Sequence, residues 1–465
     1  MTTTTWTPQS LVEQALATTT ANHCVVIVRD TTAANLRWAN NTLTTNGVTH
    51  GVDVTVVSVV EHPGGMASGS VSGSATTQAQ VAGLVAAADA AARAASPAED
   101  AQPLVAGQES PDWEQPPVPT DITVFDRFAP ALGEAFGTAG AAGRTLYGFV
   151  SHAHTTTYLG STTGLRLRHV QPTGHVGCTG KDRSLTRSAW VGGATRDFSD
   201  VDALALEAEL AQRLAWAERQ VDLPAGRYDT VLPPTAVADL MIDAYWYAGA
   251  RTAHEGQSAY SRRGGGTRIG ERIARPGVTL YSDPHEPHLE CAPFVTAATS
   301  DNEQSVFDNG LPLGRTDWIA DGELRALLQT RHSAGLTEQP VTPYVDNLVL
   351  SVEGGTGDID TMVRGIERGL LITCLWYIRE VDPQSLLLTG LTRDGVYLVE
   401  GGEITGAVNN FRWNESPLEL LNRFTHASAT VPSFSREWGD DYFSRTATPA
   451  LRIPDFNMSS VSQAR

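Results

Sequence analysis

Six prolines fall between residues 97 and 120: Pro97, Pro103, Pro111, Pro116, Pro117 and Pro119. Proline fixes φ and has no backbone N–H, so neither a helix nor an inner strand runs through such a stretch. Glu99, Asp100, Glu109, Asp112 and Glu114 also make it acidic. It reads as a linker. The chain around it has 465 residues, too many for one ordinary core. Two domains are expected, residues 1–222 and 223–465, with the linker inside the first.

Periodicity places elements on both sides. Residues 9–18 read as a helix and residues 25–28 as a buried strand. Val52, Val54 and Val56 alternate before Val57, Val59 and Val60 fill in. Residues 78–96 carry Val81, Leu84, Val85, Ala88 and Ala92 on one helical face, and Pro97 stops them. The many alanines there predict close packing on a sheet. A β-rich stretch spans residues 146–191. Asp202 caps a helix with Leu206, Leu210 and Leu214. Pro233-Pro234-Thr235 opens another, whose apolar stripe is Val237, Leu240, Met241 and Ala244. Beyond Gly277 the chain reads as short strands with turns at Asp308-Asn309-Gly310 and Asp321-Gly322. Helices are expected at residues 361–368 and after Ser416-Pro417. The predicted fold is α+β: an N-terminal α/β domain, then a C-terminal domain of mainly antiparallel sheets with flanking helices.

The formal charge is −19, which opposes binding to a phosphate backbone. Cys24, Cys178, Cys291 and Cys374 are scattered and form no CxxC pair. That is no disulfide framework and points to a reducing, cytoplasmic location. The first six residues lack the basic region and apolar run of a signal peptide. No stretch approaches the ~18–20 apolar residues of a membrane span.

His254-Glu255 begins a zinc-peptidase motif and does not complete it. Such a motif needs a second His one helical turn on, so that two imidazoles bind the metal while the Glu acts as base. Here Ser258 and Ala259 occupy the positions where that ligand would stand. Either the pair is chance, or the chain is the metal-free member of a family whose other member has the whole motif.

Short signatures in the second half resemble the TldD/PmbA family, also called modulators of DNA gyrase. They are Leu223-Pro224-Ala225-Gly226-Arg227-Tyr228, then Glu255-Gly256-Gln257-Ser258-Ala259-Tyr260 running to Ile269-Gly270-Glu271-Arg272-Ile273. Phe307-Asp308-Asn309-Gly310 and Ile319-Ala320-Asp321-Gly322-Glu323-Leu324 follow. So do Gly369-Leu370-Leu371-Ile372-Thr373, Val381-Asp382-Pro383, Val399-Glu400-Gly401-Gly402-Glu403-Ile404 and Leu451-Arg452-Ile453-Pro454. In that family TldD subunits carry the full zinc motif and a Cys ligand near the C-terminus. PmbA subunits, also called TldE, lack the metal and are needed by the pair. This chain lacks the second His, and residues 440–465 contain no Cys. The resemblance therefore implies a metal-free, non-catalytic PmbA/TldE-like subunit of a cytosolic peptidase that processes unfolded or modified peptides. No cofactor is expected in this chain. Zinc is expected in a TldD-like partner, and a homodimer in that partner's absence.

Other residues carry alternatives. His285, His288 and Cys291 sit at three-residue intervals with Glu286 and Glu290 between them, which would suit a self-sufficient metalloenzyme. Pro284 and Pro287 argue instead for an irregular polar loop. His152 and His154 share one face of a strand, read as facing solvent. Gly264-Gly265-Gly266 and Gly354-Gly355-Thr356-Gly357 lack the Lys-Ser/Thr of a phosphate loop and read as turns. In family terms Gly264–Gly266 is a flap near the substrate path, where Arg262, Arg263 and Arg268 would meet a peptide carboxylate. A homodimeric peptide-binding protein is the remaining reading.

The excess of 52 acidic over 33 basic residues generates a first prediction. Duplex DNA should not bind at physiological salt. A gel shift showing a salt-dependent micromolar complex would contradict it.

Overall fold

The computed structural model describes residues 6–439 and 443–462. Residues 1–5 of the N-terminal stretch, and residues 440–442 and 463–465 of the cysteine-free stretch, lie outside them.

The first half builds one antiparallel sheet. Helix α1 (Pro8–Thr18) is closed by a reciprocal cap between Thr7 and Ser10. Three long strands follow: β1 (His23–Ala39), β2 (Thr42–His62) and β3 (Gly65–Ser74). Asn40 and Asn41, both at positive φ, make the two-residue turn between β1 and β2. Then come α2 (Gln78–Ala94), α3 (Phe128–Ala141), β4 (Thr145–Ser161), β5 (Arg166–Lys181), β6 (Ser188–Thr195) and α4 (Ala203–Trp216). Asp202 caps α4 through Leu204 and Ala205 N–H, as expected. The strand order is β3-β2-β1-β4-β5-β6.

Alternation sorts the two faces. Val26 and Val28 pack with α1 and α2, and Leu36 and Trp38 of the same strand pack with α3 and α4. Val25 and Ile27 point the other way, onto Phe294, Val306 and Phe307 of the second half. All four helices thus cover one face, and the chain's second half covers part of the other.

Residues 97–120 run as an ordered strap along this sheet. Arg168 ties down the carboxylate of Asp112 at 2.5 Å and the carbonyl of Pro116 at 2.7 Å. Tyr158 donates to the carbonyl of Gln115, and Trp113 is buried on the ring of Tyr158. The strap also reaches the second half. Arg331 donates to the carbonyl of Pro103, Ser305 to Asp100 and Arg251 to Glu99.

The second half contributes β7 (Gln220–Val221), β8 (Gly226–Leu232), α5 (Pro234–Trp246), α6 (Ala250–His254), β9 (Val278–Ser282), β10 (Thr316–Ala320) and β11 (Glu323–Leu324). Next are α7 (Arg331–Thr337), β12 (Leu348–Val352), α8 (Ile359–Arg364), β13 (Arg368–Ile372), β14 (Leu375–Asp382), β15 (Leu387–Thr392) and β16 (Val396–Glu400). The last are β17 (Glu403–Val408), β18 (Phe411–Glu415), α9 (Pro417–Arg423), β19 (His426–Ala427), β20 (Val431–Ser433), β21 (Thr446–Thr448) and β22 (Leu451–Val461). Helix α8 is shorter than the 361–368 expected, because Gly365 ends it and Arg368 already opens β13. The Asp321-Gly322 turn joins β10 to β11 with both residues at positive φ.

Two sheets result. One has the order β11-β10-β9-β12-β21-β20. The other has ten strands along β14-β15-β18-β22-β8-β13-β16-β17-β7, with β19 beside β22. Pairing is antiparallel except for β12 with β21, β13 with β8 and β17 with β7. The chain is an α+β protein of mainly antiparallel sheets with flanking helices. Among the described residues, no helix is long and apolar enough to cross a membrane.

The alanine-rich α2 lies directly on β3. A Cβ placed on Gly69 would come within 2.3 Å of the Ala92 nitrogen and 2.6 Å of the Ala88 oxygen. Backbone cannot yield as a flexible side chain can. Gly69→Val should therefore cost at least ~1–3 kcal/mol, the usual range for overpacking. A urea midpoint equal to that of the parent chain would refute this contact.

Candidate functional site

Helix α5 starts on Pro233-Pro234, where the missing N–H of Pro234 costs nothing. Residues 236–245 are all buried, so the helix has no solvent face. It packs on β8, β20, β21 and α9. Two of its enclosed residues are Asp239 and Asp243, one turn apart on a single face. The expected apolar stripe passed them over. Their signal was present as aspartates four apart in an otherwise apolar helix.

Residues 434–439 supply the partners. Asp239 accepts from Ser435 Oγ at 2.5 Å and from the Glu437 N–H at 3.0 Å. Its second oxygen, Oδ2, has no partner among the described residues. Asp243 accepts from Trp438 Nε1 at 3.1 Å, and Trp438 meets Trp246 edge to face at 5.2 Å. Glu437 accepts from the Ile378 N–H at 3.2 Å. Burial pushes Asp239 up to about 8 and Asp243 up to about 7, with Glu437 adding to both shifts.

The motif segment follows. Helix α6 ends at His254, and Gly256 at φ +81° turns the chain away. A ligand at residue 258 or 259 therefore does not sit one turn along the same helix. Ser258 and Ala259 are buried, whereas His254 and Glu255 are exposed. Glu255 accepts from Arg251 Nε at 3.1 Å, and Arg251 also grips Glu99 of the strap. Trp246, Tyr247, Ser258, Tyr260, Glu303 and Glu380 line a cleft of about 180 Å³ behind this segment.

Arg262 and Arg268 converge on Glu271, at 2.9 and 3.2 Å. Arg263 is exposed at the start of Gly264-Gly265-Gly266, three glycines at positive φ on an open tip. His285 and His288 are exposed on an irregular loop. Cys291 is buried, and burial pushes its thiol up to about 12. The three are not brought together. Among the described residues, no three His, Cys, Asp or Glu side chains are placed to share a metal ion. The donor set around His254 offers one exposed imidazole and a carboxylate already paired with arginine, which does not fit a zinc centre.

His152 departs from the solvent-facing position expected of it. The strap's Thr120 hydroxyl donates to its Nδ1, and its Nε2 donates to the Arg196 carbonyl. Burial lowers its pKa, which favours the neutral ring. His154 is half-buried beside it at 4.9 Å. A larger cavity of about 740 Å³, lined by Arg187, Arg393 and Asn409 among others, holds none of the candidates read from the sequence.

Two mainly antiparallel layers with an enclosed helix and a motif segment at its end define the class. Residues 225–460 match the family model described as the PmbA/TldA metallopeptidase C-terminal domain, and the chain belongs to that PmbA/TldD family. Solved structures share the fold along the whole chain. TldE from Thermococcus kodakarensis superposes with a TM-score of 0.74 at 16% identity, covering 97% of this chain and 99% of that one. A Thermotoga maritima protein described as a candidate modulator of a DNA gyrase gives the same values. A Bacteroides thetaiotaomicron protein so described gives 0.74 at 14% identity, with 98% of each chain covered. No curated protein matches in sequence.

The raised carboxyls tie stability to pH. A carboxyl whose pKa rises on folding holds its proton more tightly in the folded chain. Its contribution is fully present below the unfolded value of ~3.9 and is lost as pH rises through the folded one. Stability should therefore fall between pH 5 and pH 8. Asp239→Asn keeps an acceptor for Ser435 and Glu437 and should flatten that slope. Urea midpoints at the two pH values test this, and equal slopes in parent and variant would refute it.

Proposed function

We propose that the chain is the metal-free, TldE-like subunit of a two-chain cytoplasmic peptidase. The zinc would stand in a TldD-like partner, and the substrates would be unfolded or modified peptides. The observation that carries this reading is the state of the motif segment. In a chain of a metallopeptidase family, α6 stops at His254, Glu255 is paired with Arg251, and the position of a second ligand is filled by buried Ser258 or Ala259. Such a chain contributes to cleavage by shape and contact.

Edge strand β14 supports a partner surface. Tyr377 and Val381 are about half exposed there, at 49% and 52%. An edge strand with exposed apolar side chains is a template for another chain. Leu370, Leu371, Leu375, Leu386 and Leu388 are buried in the core and add nothing to that surface.

The test is reconstitution. The purified chain alone should not cleave an unfolded peptide, and adding a zinc-loaded TldD-type subunit should give cleavage above that subunit's own rate. Chelator-sensitive cleavage by the single chain, surviving further purification, would overturn the proposal. So would a mixture no more active than the zinc subunit alone.

A further inference from the structure

Glu303 lines the cleft behind the motif segment and also a second cavity of about 270 Å³. Side chains from the 292–296, 303–308, 329–330 and 343–346 segments line that cavity, with Phe294, Leu313, Pro343 and Tyr344 giving it apolar walls. The Tyr344 ring is held by stacking on Tyr245 at 5.1 Å.

Three carboxylates line the cavity, and two have cations. Asp308 accepts from Arg331 Nε at 2.6 Å and from the Arg331 N–H at 3.0 Å. Asp346 is paired with the Arg445 guanidinium. Glu303 is different. Among the described residues, no lysine, arginine or histidine pairs with it. Asp301 stands close by, with its own oxygens taken up by the Glu303 and Gln304 N–H groups and the Gln304 side chain. Burial, then Asp301, raise the Glu303 pKa.

Gln329 supplies an independent sign. It is 1% exposed and lines the same cavity. Its Nε2 donates to Thr337 Oγ1 at 2.6 Å, while its Oε1 has no partner among the described residues. A buried acceptor without a donor is destabilising, and so is a half-buried carboxylate without a counter-ion. One ligand bearing both a positive charge and N–H donors would relieve both.

We propose that this cavity binds a primary ammonium group of a peptide, with Glu303 as counter-ion and Gln329 Oε1 as acceptor. The two acceptors come from separate segments. An ammonium, with three rotatable donors on a compact charge, suits such a pair better than the planar fork of a guanidinium. Tyr344 offers a ring to the charge, and the apolar walls suit a methylene stem. The proposal rests on the reading of this chain as a peptide-binding subunit. Glu303 lines both spaces, so the proposed ammonium site adjoins the cleft.

Calorimetry on the full chain alone tests this at pH 7.5, so it stands or falls without any cleavage assay. Nα-acetyl-lysine methylamide should bind, and its Nε-acetylated form should bind at least tenfold more weakly. Trialanine amide, with a free N-terminus and no lysine, is the second arm. Binding of that peptide in place of the lysine ligand would assign the cavity to a peptide N-terminus. Glu303→Gln should weaken the interaction at least tenfold with a Tm no lower than that of the parent chain, and Gln329→Met should weaken it several-fold. No binding in either arm would overturn the proposal, as would equal binding of the acetylated form or an unaffected, folded Glu303→Gln. Ammonium binding without reconstituted cleavage would instead count against the subunit reading alone.

Discussion

Helix α5 has no face left for water, and its surroundings are arranged to meet that condition. A buried carboxylate must be hydrogen-bonded, paired or protonated. Asp239 and Asp243 obtain bonds from the 434–439 segment, through Ser435, the Glu437 N–H and Trp438. The helix thereby fixes that segment in place. The same segment carries Phe434, stacked near His175 and Trp190 of the first sheet, and Arg436, whose guanidinium lies 3.8 Å from the centre of the Trp376 ring. The polar demand of one enclosed helix is in this way connected to the joint between the two halves.

Much of the architecture was legible because local chemistry and tertiary packing agree. The valines of β1 and β2, the Asp202 cap and the Pro233-Pro234 start each announce an element whose pattern survives folding. The Asp321-Gly322 turn was legible for the same reason, since positive φ at both positions favours those residues. The strap was legible as a break in regular structure but not as a docked segment. Its anchors, Arg168 and Tyr158, lie on strands far along the chain. The site was less legible. His254-Glu255 draws attention in one dimension, yet three dimensions place it on an exposed helix end. Asp239 and Asp243 drew none, because only packing reveals that their helix is enclosed. Glu303 and Gln329 share a cavity although β10 and β11 lie between them in the chain, and no periodicity records that.

At 14–16% identity the fold extends over nearly the full length of its structural relatives. Fold and chemistry are separable here. Burial patterns and turn positions preserve the layers with little sequence held in common. The arginines nearest that segment are occupied internally: Arg251 joins Glu255 to the strap, and Arg262 and Arg268 close on Glu271.

The position of β22 carries a consequence for synthesis. This strand lies between β18 and β8, well inside the ten-stranded sheet, although it is formed by residues 451–461. The first sheet needs only residues 23–195 and can assemble while translation continues. The ten-stranded sheet cannot. Until β22 arrives, β18 and β8 each expose a row of unpaired backbone groups that invites pairing with other chains. A ribosome that stalls before residue 451 would thus release a folded head joined to an adhesive, unfinished tail. Such a product is a candidate for aggregation or proteolytic disposal, not a smaller version of the same protein.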